Sequence, residues 1–234
     1  GQEVLLDDGK IHLKIVEKAE NVTENGGENT QEKRYFAKVL WGGLLKSRKS
    51  AALPGAKIYP PTLTNSDLAN IKIAKEMGVT GVMQPFVRDH SDLECVKEAL
   101  REAGAEDIRL FAKIENMDGV RKLEELLPAA DEIVIARGDL GNAVHLWDLP
   151  GVQRQIAEKC RAAGKPFMVV TQMLASMERS PVPTRAEVND IFHAVMDGAA
   201  SIMVTGETAI GDYPVEVIRY MVNTVRSAEK EKNR

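Results

Sequence analysis

Cysteine is scarce in this chain. Only Cys95 and Cys160 occur among 234 residues, too far apart for a redox or metal-ligand spacing. Each reads as a helix residue in a reducing compartment. The four histidines, His12, His90, His145 and His193, also lack metal-ligand spacing. No apolar run approaches the roughly 18 residues that span a bilayer, and the start has no signal-peptide pattern. Positive charge is not in excess: the formal net charge is -4, with pI ≈ 5.7. That balance gives no electrostatic case for nucleic acid. The expectation is a cytoplasmic protein with neither membrane nor nucleic-acid partners. An initiator methionine is missing too. The chain opens Gly-Gln-Glu-Val-Leu-Leu, in what reads as a strand, and is expected to begin inside a longer polypeptide.

Residues 1–55 have the texture of a small β domain, and only part of one. Val4-Leu-Leu6, the turn Asp7-Asp-Gly9, and the alternation of Ile11, Leu13 and Ile15 with polar residues give a hairpin signal. Asn21 to Lys33 is polar and glycine-bearing, which predicts an exposed turn. Tyr35 to Leu40 reads as another strand.

The rhythm changes over 56–234. Apolar runs of strand length alternate with helical patterns, which predicts an α/β fold with a parallel sheet. Ser66 or Asn65 is the expected cap of a helix running through Met77 to Gly78. Five strands follow: Val79–Met83, Ile108–Ile114, Ile133–Ile135, Phe167–Val170 and Ile202–Val204. The helices between and after them cover Ser91–Ala103, Asp118–Leu127, Val152–Ala163, Arg185–Met196 and Val215–Glu229.

The residues that carry chemistry fall just after the strands. Lys113 and Glu115 are two apart, so in a strand they share a face. Asp139 follows the next apolar run in a glycine-flanked turn. Two carboxylates and a lysine at neighbouring strand ends make a hard-cation site beside a fixed positive charge. Mg²⁺ takes only one or two protein carboxylates and fills its shell with water and phosphate. That chemistry suits phosphoryl transfer, where positioning and charge neutralisation dominate. Barrels and open doubly wound sheets both place their chemistry at this end, so placement alone does not choose between them.

Lys113-Ile-Glu-Asn116 followed by Ala136-Arg-Gly-Asp-Leu-Gly141 resembles the pyruvate kinase family. So do Thr171-Gln-Met-Leu174, Pro183-Thr-Arg-Ala-Glu187, Gly206-Glu-Thr-Ala209 and Gly211-Asp-Tyr-Pro214, with Asp7-Asp-Gly9 and Leu53-Pro-Gly55 near the start. The strings stand in the family's order and spacing, from about Val4 to about Glu229. The resemblance implies an eight-stranded (β/α)8 TIM-type barrel with a β domain inserted after the third strand. The five strands here would be strands four to eight. About 180 residues follow the β segment, against roughly 250 for a complete barrel. On this reading the chain alone is expected to be inactive.

The resemblance also implies an activity: phosphoryl transfer from phosphoenolpyruvate to ADP in glycolysis, giving pyruvate and ATP. Lys113 would meet the moving phosphoryl group and the enolate oxygen; otherwise it pairs with Glu115 on the surface. Glu115 and Asp139 would hold Mg²⁺ or Mn²⁺, or Asp139 would cap a short helix. Gly138 and Asp139 would offer backbone N–H groups to substrate. Thr171 would stand near the carbon that takes a proton, or is an ordinary strand threonine. Asp8 and Lys49 would serve the nucleotide and its Mg²⁺, or belong to a hairpin turn and a solvated basic pair. Glu207 would join the network or cap the final loop. A K⁺ dependence, through residues outside this chain, and a homo-oligomer of the complete protein are further implications.

The family pattern is broken in places. Gln84-Pro85-Phe86 stands for alanine-serine-phenylalanine, a change that removes a hydroxyl and a backbone donor. Ala52 replaces asparagine, Ile210 a lysine, and Thr205 a serine. Two other readings stay open: a non-catalytic regulatory or binding relative that keeps the metal site, and a Mg²⁺-dependent enolpyruvate lyase or aldolase-type barrel.

Overall fold

The computed structural model describes residues 1–7, 9–19, 33–47, 49–56 and 58–233. The turn expected over Asn21 to Lys33 lies, but for Lys33, outside the described residues, as do Asp8 and Arg48. The chain divides into two units, Gly1–Tyr59 and Pro60–Arg234.

The first unit is an antiparallel sheet in the order β3-β2-β1-β4, made of β1 (Glu3–Leu6), β2 (Ile11–Lys18), β3 (Tyr35–Trp41) and β4 (Ala51–Ala52). The β1–β2 hairpin pairs Leu6 with Ile11 and Glu3 with Lys14. Asp7 enters its turn at φ 51. The turn is braced from outside by the Lys49 ammonium, 2.8 Å from the Asp7 carboxylate.

In the second unit the chain runs α1 (Asn65–Ala74), β5 (Gly81–Gln84), α2 (His90–Glu102), β6 (Arg109–Ile114), α3 (Met117–Arg121) and α4 (Leu123–Leu126). It continues with β7 (Glu132–Ala136), α5 (Arg137–Ala143), α6 (Leu149–Ala162), β8 (Phe167–Val170) and a 3₁₀ turn at Ala175–Glu178. The last elements are α7 (Arg185–Met196), β9 (Ser201–Met203), α8 (Gly206–Ala209) and α9 (Pro214–Lys232).

Strands β5 to β9 form one parallel sheet in sequential order. A sequential order has no point where the winding reverses, so it is not the doubly wound pattern. The two faces of the sheet agree. Leu110, Ala112, Ile114, Ile133, Ile135, Phe167 and Val169 share one core with helix residues such as Leu93, Leu126, Ile156, Ile191 and Val217. On the other face, among the described residues, the apolar cluster is made of strand residues: Val134, Ala136 and Val170, with Phe111, Met168 and Met203 against them. Helices on one face and a strand-lined interior on the other are the layering of a (β/α)8 barrel, of which this sheet is five strands. None of the described helices is long and apolar enough to cross a membrane.

Two local expectations need correction. The cap of α1 is Thr64, not Ser66 or Asn65. Three cap-type residues stand in a row, but only Thr64 has an acid three positions on. Its hydroxyl accepts from the Asp67 amide at 3.2 Å, while Asp67 accepts from the Thr64 amide at 2.7 Å. The single helix expected over 118–127 is two short ones, α3 and α4, interrupted at Lys122 (φ -97, ψ 14). The glycines expected to end α2 and α6 do so in the left-handed region, Gly104 at φ 63 and Gly164 at φ 62.

Candidate functional site

Strand β6 alternates strictly. Leu110, Ala112 and Ile114 point to the helices, and Phe111 and Lys113 to the other face. The Lys113 ammonium meets the first carboxylate beyond the strand, 2.7 Å from Glu115 Oε1. Their side chains are 25% and 3% exposed. The second oxygen, Glu115 Oε2, accepts the Phe86 amide at 2.8 Å. The change at Gln84-Pro85-Phe86 was expected to remove a backbone donor. Proline does remove one, but Phe86, turned to φ 52, supplies the next N–H along. Asn116 fastens the same two segments. Its Oδ1 accepts the Gly119 amide at 2.9 Å, capping α3, and its Nδ2 donates to the Val87 carbonyl at 3.1 Å. The Lys113–Glu115 pair is therefore held by the β5 loop from behind.

The same loop carries an ion pair of a half-buried arginine with a buried carboxylate. Arg88 grips Asp92 through Nε at 2.9 Å and Nη2 at 2.6 Å, and the Thr62 hydroxyl donates to Asp92 at 2.5 Å. Burial pushes the Asp92 carboxyl up. The hydrogen bonds from Arg88, Thr62 and the Arg88 amide outweigh it and lower the pKa to about 2.

Strand β7 is buried along its whole length, and β6 lies beside it with Ile114 opposite Ile135. Glu115 and the start of α5 thus leave the sheet side by side, with strands roughly 4.8 Å apart. Asp139 is half-buried in the first turn of α5. The cap position is Ala136, so Asp139 is not the helix cap, the alternative considered for it from sequence.

Gly138, one residue earlier, lies against Thr171. A Cβ there would sit 3.1 Å from Thr171 Cγ2. Thr171 follows β8 at φ 79, and Gln172 follows at φ 54. For a β-branched residue this is a strained backbone, costing on the order of 1–3 kcal/mol. Thr171 is therefore not an ordinary strand threonine.

Arg137 was passed over from sequence, although it stands inside Ala136-Arg-Gly-Asp139. Its Nη2 donates to the Thr171 carbonyl at 2.7 Å, its Nε to the Val170 carbonyl at 3.3 Å, and its Nη1 pairs with Asp190 of α7 at 2.6 Å. The only sequence signal was a cation placed directly after a buried strand.

Glu207, 2% exposed, takes the Leu174 amide at 3.2 Å and the Thr205 amide at 2.8 Å. It ties the β8 and β9 loops together through their backbone amides, which is the loop-capping alternative considered for it from sequence. The Thr205 side chain is exposed.

The structure thus joins Lys113 to Glu115 and Gly138 to Thr171, at the carboxyl ends of three consecutive strands. Lys49 sits in the first unit, paired with Asp7; its hydrogen bond holds the Asp7 carboxyl below the usual carboxylate range. Asp8 lies outside the described residues.

The donor set fits a hard divalent cation. Glu115 and Asp139 offer carboxylate oxygen at adjacent strand ends. Among the described residues no group of three or more His, Cys, Asp or Glu forms a closed cage. Mg²⁺ takes one or two protein carboxylates and fills its shell with water and phosphate, so Glu115 and Asp139 are of the ligand type such an ion uses.

A family model described as the pyruvate kinase barrel domain matches residues 1–218. The curated pyruvate kinase of Bacillus licheniformis is 38% identical over 233 residues, which is 100% of this chain and 38% of that protein. That of Geobacillus stearothermophilus is 40% identical over 221 residues, 94% of this chain and 36% of its own length. The Candida albicans enzyme is 36% identical over 230 residues, covering 98% and 43% respectively. The chain therefore spans less than half the length of each of these relatives.

Proposed function

The chain belongs to the pyruvate kinase family, and from that premise we propose that it carries the metal and proton-transfer residues of a phosphoryl transfer from phosphoenolpyruvate to ADP. The observation that supports this best is the Lys113–Glu115 pair, 2.7 Å apart at a strand end, next to the strand that delivers Asp139. A buried carboxylate beside a fixed ammonium is poised for a ligand that brings both a cation and an anion.

In this reading Glu115 and Asp139 hold Mg²⁺ or Mn²⁺. The ion supplies charge neutralisation to the phosphate and carboxylate oxygens of bound substrate. Lys113 turns from Glu115 to the transferring phosphoryl group and the enolate oxygen, a preorganised charge at the place where negative charge develops. The first-turn amides of Gly138 and Asp139, at the start of α5, receive the substrate carboxylate. Thr171 presents its hydroxyl near the methylene carbon and orients the water or substrate through which the proton arrives. Lys49 and Asp8 serve the nucleotide. A K⁺ requirement, cytoplasmic location and homo-oligomeric assembly in glycolysis belong to the same proposal, with no residue of this chain assigned to K⁺.

The test is a coupled assay with phosphoenolpyruvate and ADP on the longest polypeptide that carries this chain. Turnover dependent on Mg²⁺ or Mn²⁺ is the expected result. Metal-dependent nucleotide binding without turnover reassigns the protein to a binding role.

A further inference from the structure

We propose that Arg137 is a positioning residue, held by Asp190, that fixes the strained turn at Thr171 and so aims its hydroxyl. Thr171 and Gln172 both lie in the left-handed region, at φ 79 and φ 54, directly after β8. Neither is glycine, and a β-branched residue resists that conformation. Such a backbone persists only where its surroundings over-determine it.

The guanidinium of Arg137 supplies that constraint. One edge of its planar fork takes two successive carbonyls, Val170 at 3.3 Å and Thr171 at 2.7 Å. Another edge takes Asp190 on α7 at 2.6 Å. Nη2 also lies 2.8 Å from Met173 Sδ. Arg137 is only 13% exposed, so these partners replace water. Lysine is a point charge and could not span two carbonyls and a carboxylate together.

The next residue completes the seat. Gly138 lies beside the Thr171 side chain, where a Cβ would come within 3.1 Å of Cγ2 and 3.6 Å of Oγ1. With the carbonyl held by Arg137, and Cγ2 and Oγ1 both beside Gly138, the Thr171 side chain is confined from two sides. Three consecutive residues, Arg137, Gly138 and Asp139, therefore serve two purposes. The first two set the hydroxyl, and the third brings a carboxylate. The consequence for chemistry rests on the role proposed for Thr171; the clamp itself does not.

The experiment compares wild type with Arg137→Gln, Arg137→Lys and Asp190→Asn in the polypeptide that carries this chain. Three readouts are taken: solvent exchange of the methyl protons of pyruvate, phosphoryl transfer from phosphoenolpyruvate to ADP, and Mn²⁺ affinity. A misaimed group costs up to about 100-fold in rate. Arg137→Gln is expected to lower methyl-proton exchange and kcat roughly 10- to 100-fold. The KM for phosphoenolpyruvate and the Mn²⁺ affinity should stay within about threefold, since neither depends on the hydroxyl. Arg137→Lys keeps the charge without the fork and falls with Arg137→Gln; Asp190→Asn gives a smaller loss in the same direction. Unchanged proton exchange in Arg137→Gln overturns the proposal. So does a parallel loss of Mn²⁺ affinity, which would mean that Arg137 acts by holding α5 and Asp139. If wild type neither transfers phosphoryl nor exchanges methyl protons, the proposed function fails, and the clamp is judged by amide exchange alone. The amides of Gln172, Met173 and Leu174 must then exchange faster in Arg137→Gln while those of Phe111 to Ile114 do not. Equal rates would sink it.

Discussion

The Lys113 ammonium lies 2.7 Å from a Glu115 carboxylate whose other oxygen accepts the Phe86 amide. Glu115 is therefore engaged through both oxygens, and among the described residues Lys113 is the cation paired with it. A nearly buried carboxylate tolerates the loss of that partner poorly. It tolerates a replacement cation well, because the amide bond from Phe86 fixes only one oxygen.

Lys113→Met separates these effects. Removing the ammonium leaves Glu115 buried and unpaired. The expected cost is about 1–3 kcal/mol, below that of a fully buried pair because Lys113 is a quarter exposed. Phosphoryl transfer should be lost, while Mn²⁺ binding stays intact or tightens as Glu115 Oε1 is released. Urea unfolding with and without Mn²⁺ checks the energetic half, since a ligand that binds only the folded state recovers stability by mass action. Loss of Mn²⁺ binding in this variant would contradict the assignment of Glu115 as a ligand.

How far the sequence reaches can be judged from these same residues. Ile133-Val-Ile135 and Phe167–Val170 are short apolar runs between helical patterns, so the sheet and its parallel sense were legible. The spacing of Lys113 and Glu115 by two was enough to put them on one face. Thr64 was recoverable through Asp67, its partner three positions on. The break at Lys122 was not: Arg121-Lys-Leu-Glu-Glu125 contains neither glycine nor proline and reads as helix throughout. Arg137 acts on carbonyls more than thirty residues away in sequence, and no local pattern announces such a reach. The positive φ of Thr171 was equally hidden, because a β-branched residue gives no local sign of it and its carbonyl is held by a side chain far off in sequence.

Gly211 offers a test of the β9 loop. A Cβ there would land on the Glu207 carbonyl oxygen, and on backbone that cannot swing aside. Gly211→Ala should cost about 1–3 kcal/mol. It should also loosen the Glu207 carboxylate from the Leu174 and Thr205 amides. Gly151→Ala is the control. It lies in α6 with nothing within 4 Å of the new Cβ, and is expected to gain about 0.5–1 kcal/mol. Thermal midpoints moving in opposite directions would be the signature, and equal shifts would refute the steric argument.

The two thiols should differ in reactivity. Burial pushes the Cys160 thiol up to about 12, only partly offset by the charge of Lys165, whereas Cys95 is exposed. At pH 8 Cys160 would carry on the order of a thousandfold less thiolate than a free cysteine. Titration with a chromogenic disulfide should release one equivalent from the native chain and a second only in denaturant. Two fast equivalents would show that α6 opens readily.

The Arg88–Asp92 pair at the β5 loop predicts how stability responds to acid. The carboxyl of Asp92 is lowered to about 2 in the folded chain, against roughly 3.9 when unfolded. Its stabilisation is therefore complete above pH ~4 and is lost as the pH falls towards about 2. At neutral pH it amounts to about 2 kcal/mol. Asp92→Asn should be destabilised at pH 7, since Arg88 and Thr62 lose a charged acceptor. The gap from wild type should then close steadily between pH 4 and pH 2, because protonation imposes on wild type the loss that the variant already carries. Urea midpoints measured across that range decide the matter. A gap that stays constant would place the stabilising effect of Asp92 in its shape and packing, and not in its charge.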